Sequence, residues 1–478
     1  MRRVLCAVPA GMAVALVCLA ADSAQLFEAR LIRAENLRKA GQYAESDKEY
    51  AGALEVAAKF GPVDPRTAKA LNNRASVLLQ LGDLPGAESH FRKAIAIWEA
   101  ILGPADPQVA TGLNNLGESL RAQGRFADAE SVYKRSLEIR RQTLEDSPGA
   151  VASTLNALGT VAQGTGDLAS AEARHKEALG LYQGQKKPNE IGVAATMNNL
   201  AEVYRNQQRY SEAEPLYLQA LEIRRDLYGD DHPETAGILN NYAALLNDQG
   251  DYARAETYYR RVLDIRRRTY GENHAAVANA LNNLGALLKR SGRTEEAQDA
   301  LARSLATFEK TVGPSHPYVS AVLTNLGELH SSVGRFAEAE PLLRRAIEIA
   351  SATQGPNTVQ VAVMTHNLGA LFARQQKYPG AEKLYAQAAA IREKVHGKEH
   401  PAVAAEELEV ARMIQAQGRY TEAGAYFQRA ARTYENSGGT SDPAYAESLS
   451  GYATTLRQAR RDREAERVED RVRALLPK

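Results

Sequence analysis

Apolar residues recur every three or four positions, in pairs of segments, along most of the chain. From Val109 to Gln123 this pattern fits one face of a helix, and from Phe126 to Leu144 it fits a second helix. Gly124, between the two, supplies a left-handed residue that ends the first helix. Small residues at Gly117 and Ala129 let the two backbones approach where the helices cross. The pattern therefore predicts a helix, a tight turn and a second helix packed on the first.

The same pattern returns with a period of 42 residues. One series of alanines follows this period: Ala87, Ala129, Ala171, Ala213, Ala255, Ala297, Ala339, Ala381, Ala423 and Ala465. A series of asparagine pairs keeps the same register, at Asn72-Asn73, Asn114-Asn115, Asn198-Asn199, Asn240-Asn241 and Asn282-Asn283, and Asn325 and Asn367 extend it. Glycines form a third series, at Gly61, Gly103, Gly229, Gly271, Gly313, Gly355, Gly397 and Gly439. Three series in one register identify a repeat array.

Ten helix pairs are predicted in strict register from about residue 68. An eleventh pair, from Leu26 to about Phe60, is shifted by one residue, because Gly41 and Gly82 are 41 positions apart. No strand pattern and no second domain interrupt the array. The sequence therefore predicts an all-α protein whose repeats span residues 26–478.

Histidine or aspartate precedes the proline that starts many first helices. The histidines are His232, His316 and His400, and the aspartates at the same place are Asp64, Asp106 and Asp442. A position that accepts either residue before a helix-starting proline is typical of a capping or loop residue. Zinc needs several ligands within ~2.0–2.3 Å of one point, and one histidine per repeat is too sparse for that. We expect no metal site.

The chain resembles the tetratricopeptide repeat family, in the 42-residue form of kinesin light chains and many bacterial relatives. The resemblance rests on the strings Leu-Asn-Asn-Leu-Gly at 113–117, Tyr-Ser-Glu-Ala-Glu-Pro-Leu-Tyr at 210–217, Ala-Leu-Glu-Ile-Arg at 220–224 and Gly-Asp-Asp-His-Pro at 229–233. It covers essentially everything after the N-terminal segment. It implies a right-handed superhelical solenoid of about eleven helix-turn-helix repeats, whose first helices line a concave groove. The fold serves many partners, so the resemblance is less specific for function.

A column of amides is the first candidate binding feature of that groove. It comprises Asn73, Asn115, Asn199, Asn241, Asn283, Asn325 and Asn367, preceded in several repeats by a second amide at Asn198, Asn240 or Asn282, and Ala157 interrupts it. An amide offers donors and an acceptor, which suits the backbone of an extended peptide. The resemblance implies that asparagines here hold bound peptide. The alternative is that they hydrogen-bond the neighbouring repeat.

Cations near the last turn of the first helices are the second candidate feature. They are Arg121, Arg205, Lys289, Arg290 and Arg374. They could pair with an acidic segment of a partner. Glu118, Glu202, Glu328 and Asp248 share the same wall, so local neutralisation is the alternative.

The N-terminal segment has the three parts of a secretory signal peptide. Arg2 and Arg3 precede an apolar run from Val4 to Ala21, and small residues end it. We expect residues 1–21 to be removed and the protein to be exported, to the periplasm or outside the cell. An uncleaved membrane anchor is the alternative. The two cysteines, Cys6 and Cys18, lie in this segment, so the mature chain would hold no thiol.

Composition narrows the function further. The formal charge is +1, from 59 basic and 58 acidic residues, so no basic excess favours nucleic acid. No nucleophile–base pair or nucleotide loop is readable, and arrays of this kind are rarely catalytic. We therefore expect no enzymatic activity, no cofactor and no small-molecule substrate.

The expected function is that of a protein-protein interaction module, which binds an extended peptide or partner protein of unknown identity in its groove. One alternative is a structural scaffold or self-associating envelope component that works through its outer surface. Another is a cytosolic cargo adaptor, against which the signal peptide argues.

Overall fold

A computed structural model describes residues 10–61, 63–142 and 147–475, with side chains from Ser23 onward. The described residues form 22 α-helices and one short 3-10 turn, at Ala58–Phe60, and no strand. They divide into two compact units, Met1–Asp230 and Asp231–Lys478. The all-α prediction is confirmed.

The first unit holds five helix pairs. In chain order, its helices are α1 (Ala10–Lys39), α2 (Tyr43–Ala57), α3 (Pro65–Leu81), α4 (Leu84–Leu102), α5 (Pro107–Ala122), α6 (Phe126–Arg141), α7 (Pro148–Thr165), α8 (Leu168–Gln183), α9 (Glu190–Asn206) and α10 (Tyr210–Tyr228).

The second unit holds six pairs. Its helices are α11 (Pro233–Asp248), α12 (Tyr252–Tyr270), α13 (Ala275–Arg290), α14 (Thr294–Thr311), α15 (Pro317–Ser332), α16 (Phe336–Gln354), α17 (Val359–Arg374), α18 (Tyr378–His396), α19 (Pro401–Ala416), α20 (Tyr420–Asn436), α21 (Pro443–Gln458) and α22 (Asp462–Leu475). The odd-numbered helices are called first helices below, and the even-numbered ones second helices.

The predicted helix bounds need small corrections. Helix α5 begins at Pro107, two residues before Val109, because a proline needs no hydrogen-bond partner at the first helical position. Helix α6 ends at Arg141. Its predicted end, Leu144, lies outside the described residues.

Each pair closes where a small residue of the first helix meets a large one of the second. A Cβ atom added to Gly117 would lie 2.6 Å from the ring of Tyr133, which is fully buried. Ala129 is fully buried as well. The prediction that small residues let the helices approach is confirmed at this crossing. Such close packing is what fixes the angle between the two helices.

The turn inside each pair contains a residue with positive φ. Gly124 has a φ of 73°, as predicted for the residue that ends the first helix. Three repeats place a larger residue in the same register, at Gln208, Gln376 and Arg460, with φ values of 60°, 57° and 58°. Glycine adopts this region without the steric cost that a Cβ atom brings.

The first helices lie on the inner side of each stack. In the first unit α3 contacts α5, α5 contacts α7 and α7 contacts α9, and the second unit has the same kind of contact between α13 and α15, α15 and α17, and α19 and α21. Across the described ranges, no two neighbouring second helices make a comparable set of contacts. The exposed residues of the first helices are called the inner face below.

Both ends of the array carry charged residues at registers where most inner repeats carry apolar ones. In α1, Arg33 is exposed at the register of Leu116, which is buried in α5. In α22, Arg473 is exposed at the register of Ile95, which is buried in α4. Polar outer faces of this kind terminate a repeat array.

Helix α1 contains most of the predicted signal segment. It runs without a break from Ala10 to Lys39, and residues 1–9 lie outside the described part. The fully buried residues that dock α1 on its repeat, Phe27 and Ala34, both follow residue 21. Among the described residues, no helix has the length and apolarity that crossing a membrane requires.

Candidate functional site

The amide column forms a hydrogen-bonded ladder between neighbouring repeats. In each step the second asparagine of one repeat donates its Nδ2 hydrogen to the Oδ1 atom of the first asparagine one repeat earlier. Four steps are seen: Asn115 to Asn72 at 2.9 Å, Asn199 to Asn156 at 3.3 Å, Asn283 to Asn240 at 2.8 Å and Asn325 to Asn282 at 3.0 Å. These side chains are called the amide ladder. All of them are half-buried.

The amide ladder shows that these asparagines bond to the neighbouring repeat, which was the alternative raised from the sequence. The amides still have hydrogen-bonding capacity left. Within some repeats the first asparagine also donates to the second, as Asn72 does to Asn73 at 3.3 Å and Asn240 to Asn241 at 3.3 Å. An amide has two donor hydrogens and two acceptor lone pairs. The ladder step from Asn283 to Asn240 uses one hydrogen of Asn283, and the amide can make further bonds at the half-buried inner face. Peptide binding by these residues therefore stays a prediction.

The ladder is interrupted where the sequence changes. Residue 157 is alanine, and the Oδ1 atom of Asn114, one repeat earlier, is buried without a hydrogen-bond partner among the described residues. Further along, Asn367 donates to Glu328 instead of to an amide. Asn198 and Asn241 have further polar partners of their own. The missing partner of Asn114 follows directly from the interruption at Ala157.

The predicted inner-face cations each have a local partner. Arg121 pairs with Glu118, Lys289 with Glu328, and Lys289 also donates to Asn325 at 3.3 Å. The remaining contacts are Arg205 to Glu202 at 3.9 Å, Arg290 to Asp248 at 3.4 Å and Arg374 to the Ser332 carbonyl at 3.2 Å. Glu118 raises the pKa of Arg121 through its hydrogen bond. For Arg121, Arg205, Lys289 and Arg290, the geometry therefore favours local neutralisation, which was the alternative raised from the sequence. Arg374 contacts a neutral carbonyl instead.

In helix α19, Glu409 takes the register of the second amide and Leu408 that of the first, and a second carboxylate, Glu406, lies one turn earlier. Glu406 is 2% exposed, and it accepts hydrogen bonds from Arg392 at 2.8 Å and from His366 Nδ1 at 2.9 Å. The bond to Glu406 raises the pKa of His366. Burial raises the pKa of Glu409, against the attraction of Arg412. The contacts of Glu406 with His366 and Arg392 join α17, α18 and α19.

The histidines before the helix-starting prolines are helix caps. His232, His316 and His400 each accept a backbone N–H on Nδ1, at 3.2, 3.2 and 3.1 Å, as the Asp106 carboxylate does at 2.7 Å. The capping interpretation is confirmed. In the parts of the chain with described side chains, no group of three or more histidine, cysteine, aspartate or glutamate residues could hold a metal ion.

Two cavities open on the inner face of the first three repeats. The larger, of about 640 Å³, lies between α1 and α3 and is lined by Leu31, Ile32, Lys69 and Asn73 among others. The smaller, of about 460 Å³, lies between α3 and α5 and is lined by Pro65, Arg66, Lys69, Asn72, Trp98, Gln108 and Thr111. Sequence reasoning singled out Asn73 and missed the others. The sequence could have pointed to Ile32, because it lies 41 residues before Asn73. That is the spacing between the first repeat and the second, so Ile32 occupies the register of Asn73.

Comparison with known proteins shows which protein family the chain matches. Tetratricopeptide repeat models match residues 25–100, 66–142, 108–184, 192–267, 234–310, 277–352, 361–402 and 406–478. No curated protein matches the chain.

Three solved structures represent the similar folds. BtubC (BKLC) from P. vanneervenii is 30% identical with a TM-score of 0.41, over 47% of this chain and 91% of that one. A putative kinesin light chain of nearly identical TPR-like repeats from Podosopora anserina is 22% identical with a TM-score of 0.35, over 42% and 95%. A Rap protein complexed with Competence and Sporulation Factor is 15% identical with a TM-score of 0.53, over 77% and 98%. The family models cover most of the chain, and the chain therefore belongs to the tetratricopeptide repeat family.

Proposed function

We propose that the protein binds an extended peptide, or a flexible segment of a partner protein, along its inner face. The observation that carries this proposal is the amide ladder, a row of half-buried amides at a regular interval whose spare donors and acceptors suit a peptide backbone of any sequence. Tetratricopeptide repeats are protein interaction modules, and a Rap protein with this fold has been solved with Competence and Sporulation Factor.

The test removes three amides and measures binding and stability on the same variant. Replacing Asn199, Asn241 and Asn283 by alanine takes away hydrogen bonds worth ~0.5–1.5 kcal/mol each. If the ladder holds the ligand, affinity for a captured partner falls on the order of 10- to 1000-fold. The melting temperature also falls, because the steps to Asn156 and Asn240 are lost.

Two buried serines supply the control. Ser136 donates to the Ala110 carbonyl at 2.8 Å, and Ser304 donates to the Ala278 carbonyl at 2.7 Å, both between paired helices and away from the inner face. Replacing both by alanine lowers stability without touching the ladder. Partner affinity per folded molecule should stay unchanged in this variant. If the variant in which the three asparagines are replaced by alanine kept full affinity, the proposal would be overturned, and binding by the outer surface would be favoured.

We further propose that the protein is exported after removal of residues 1–21. Cleavage after Ala20 or Ala21 would leave Phe27 and Ala34, which dock α1, in the mature chain. N-terminal sequencing of the protein from a cell-envelope or culture fraction should start at Ala21 or Asp22. Its gel mobility should not depend on reductant, because both cysteines would be gone. Recovery of a cytosolic chain that begins at Met1 would contradict this.

A further inference from the structure

We propose that the step between α17 and α19 is a pH-sensitive joint, in which His366 holds the last two helix pairs more firmly when its imidazole carries a proton. The inference goes beyond peptide binding and does not depend on it. It is carried by a change of chemistry in the amide ladder. His366 of α17 takes the register of the first asparagine, and Glu409 of α19 takes that of the second, 43 residues later as in the other steps.

A buried carboxylate binds His366 from the α19 side. The Nδ1 atom of His366 lies 2.9 Å from Glu406, and Arg392 of α18 donates to the other oxygen of the same carboxylate at 2.8 Å. Glu406 is 2% exposed, so solvent ions screen its attraction for the imidazole only weakly. A protonated imidazole donates a charge-assisted hydrogen bond, which is roughly twice as strong as that of a neutral ring. The protonated joint is therefore the stronger one.

The groups that surround His366 come from the helices packed on α17. They are Glu406, Glu409 and Arg412 from α19, Arg392 and Tyr385 from α18, Glu447 from α21, which pairs with Arg412, and Glu328 from α15, which bonds the adjacent Asn367. Helix α16 makes no polar contact with His366 in the part of the chain that has described side chains. The arginines stay charged from pH 6 to 9, and burial raises the pKa of Tyr385, so the phenol stays neutral. Burial also raises the pKa of Glu409. That shift acts in the same direction as the proton of His366, because the ionised carboxylate is less stable in the joint than in water.

The direction of the pH effect follows from the pKa of His366. The hydrogen bond to Glu406 raises this pKa above that of the unfolded chain. The contribution of His366 to stability is therefore fully present below about pH 6.5 and is lost as the pH rises through the folded pKa. Burial lowers the pKa of six other histidines, which therefore lose their protons at lower pH: His90, His175, His316, His330, His396 and His400. A weakening between pH 6.5 and 9 thus separates His366 from these six.

Replacing His366 by asparagine isolates the charge. Asparagine is the residue at this register in α3, α5 and α13, and its Nδ2 atom takes the place of the imidazole Nδ1, so a neutral donor to Glu406 remains. Native-state hydrogen exchange of the full chain measures the opening of α17 and α19. In the parent, the opening constants corrected for intrinsic exchange should rise about 5- to 10-fold from pH 6.5 to 9, the difference between a charged and a neutral hydrogen bond. In His366→Asn they should stay constant.

His90→Asn supplies the matched control. The Nδ1 atom of His90 in α4 lies 2.8 Å from the Gly86 carbonyl oxygen, and its pKa is lowered. This variant should keep the parent's rise in the opening of α17 and α19. A second measurement needs no variant. In spectra of the parent chain with labelled histidine, the ring of His366 is identified by its contact with the ring of Tyr385, 5.1 Å away, and it should titrate above pH 6.5.

Three results would overturn the inference. One is a constant opening of α17 and α19 in the folded parent between pH 6.5 and 9. Another is a rise of equal size in His366→Asn, which would assign the effect to a different group. The third is a ring of His366 that titrates at or below pH 6.5. None of them bears on peptide binding, which the asparagine variant of the ladder tests separately.

Discussion

The turn inside each helix pair needs one residue with positive φ, and three pairs supply it without glycine. Gln208 and Gln376 hold φ values of 60° and 57°. A left-handed backbone costs a residue with a Cβ atom about 1 kcal/mol. Gln208→Gly and Gln376→Gly should each raise the free energy of unfolding by about that amount, as measured in urea.

The reciprocal substitution provides the control. Gly250 has a φ of 82°, and no atom lies within 4 Å of the position that a Cβ would take. Gly250→Ala should therefore lower stability by a similar amount through the backbone alone. Equal stability of all three variants and the parent chain would show that these turns carry no conformational strain.

Histidine caps make helix starts sensitive to pH. His316 and His400 accept backbone N–H groups on Nδ1, which must be unprotonated to do so. Burial lowers the pKa of His316, and burial together with Arg392 lowers the pKa of His400. Because each folded pKa lies below the unfolded one, these caps stabilise the protein above about pH 6.5 and their contribution is lost as pH falls through the folded pKa.

Aspartate serves the same purpose in other repeats, so the matched variant is His316→Asp with His400→Asp. Asp106 and Asp442 cap their helices at 2.7 and 2.9 Å. The melting temperatures of parent and variant should be close at pH 8, and the parent should fall further behind as the pH approaches 5. A cap contributes about 1 kcal/mol. Melting curves that stay parallel over this range would contradict the prediction.

At the scale of the helix, the interrupted ladder can be repaired. Asn114 Oδ1 is buried without a described partner because residue 157 is alanine. Ala157→Asn places a donor where the other steps have one, and it should raise the free energy of unfolding by ~0.5–1.5 kcal/mol.

A double-mutant cycle isolates that bond. In a chain that already carries Asn114→Ala, the substitution Ala157→Asn should give no gain, because its acceptor is absent. A gain of equal size in both backgrounds would show that asparagine at 157 stabilises the helix by another route.

The helix pairs could be predicted from the sequence, and the partners of the amides could not. A period of 42 with apolar residues at helical spacing fixes which segments are helices and which faces pack. The step from Asn283 to Asn240 depends on the rise and rotation between repeats, which the spacing of residues along one chain does not contain. The cavity beside Lys69 was missed for a related reason, because Trp98, which lines it, occurs once and belongs to none of the three repeating series.

At the scale of the whole molecule, each unit has its own buried core and a boundary in a connection between repeats. Fragments from Asp22 to Asp230 and from Asp231 to Lys478 hold five and six helix pairs. Stability in repeat arrays grows with the number of joined repeats. Both fragments should therefore be helical and unfold cooperatively, below the melting temperature of the full chain. Circular dichroism checks this, and an unfolded fragment would contradict it.

The polar ends bear on self-association. Arg33 and Arg473 stand exposed where most inner repeats carry apolar side chains. Arg33 pairs with Glu49 and Arg473 with Asp470, so stacking a second copy on either end would remove these ion pairs from water, at a desolvation cost that exceeds their mutual attraction. Sedimentation of the chain lacking residues 1–21 should give a mass independent of concentration. Growth of end-to-end filaments would contradict the prediction and favour the scaffold alternative.

Each ladder step joins residues 43 positions apart. The gene can therefore gain or lose whole repeats and still encode a chain in which neighbouring repeats form this hydrogen bond. An unequal crossover between two repeats, 126 nucleotides apart, deletes or duplicates one whole helix pair. Steps such as Asn283 to Asn240 and Asn325 to Asn282 are interchangeable, so the new junction finds an equivalent partner, and the polar ends stay in place. Natural variants should then differ in size by multiples of 42 codons.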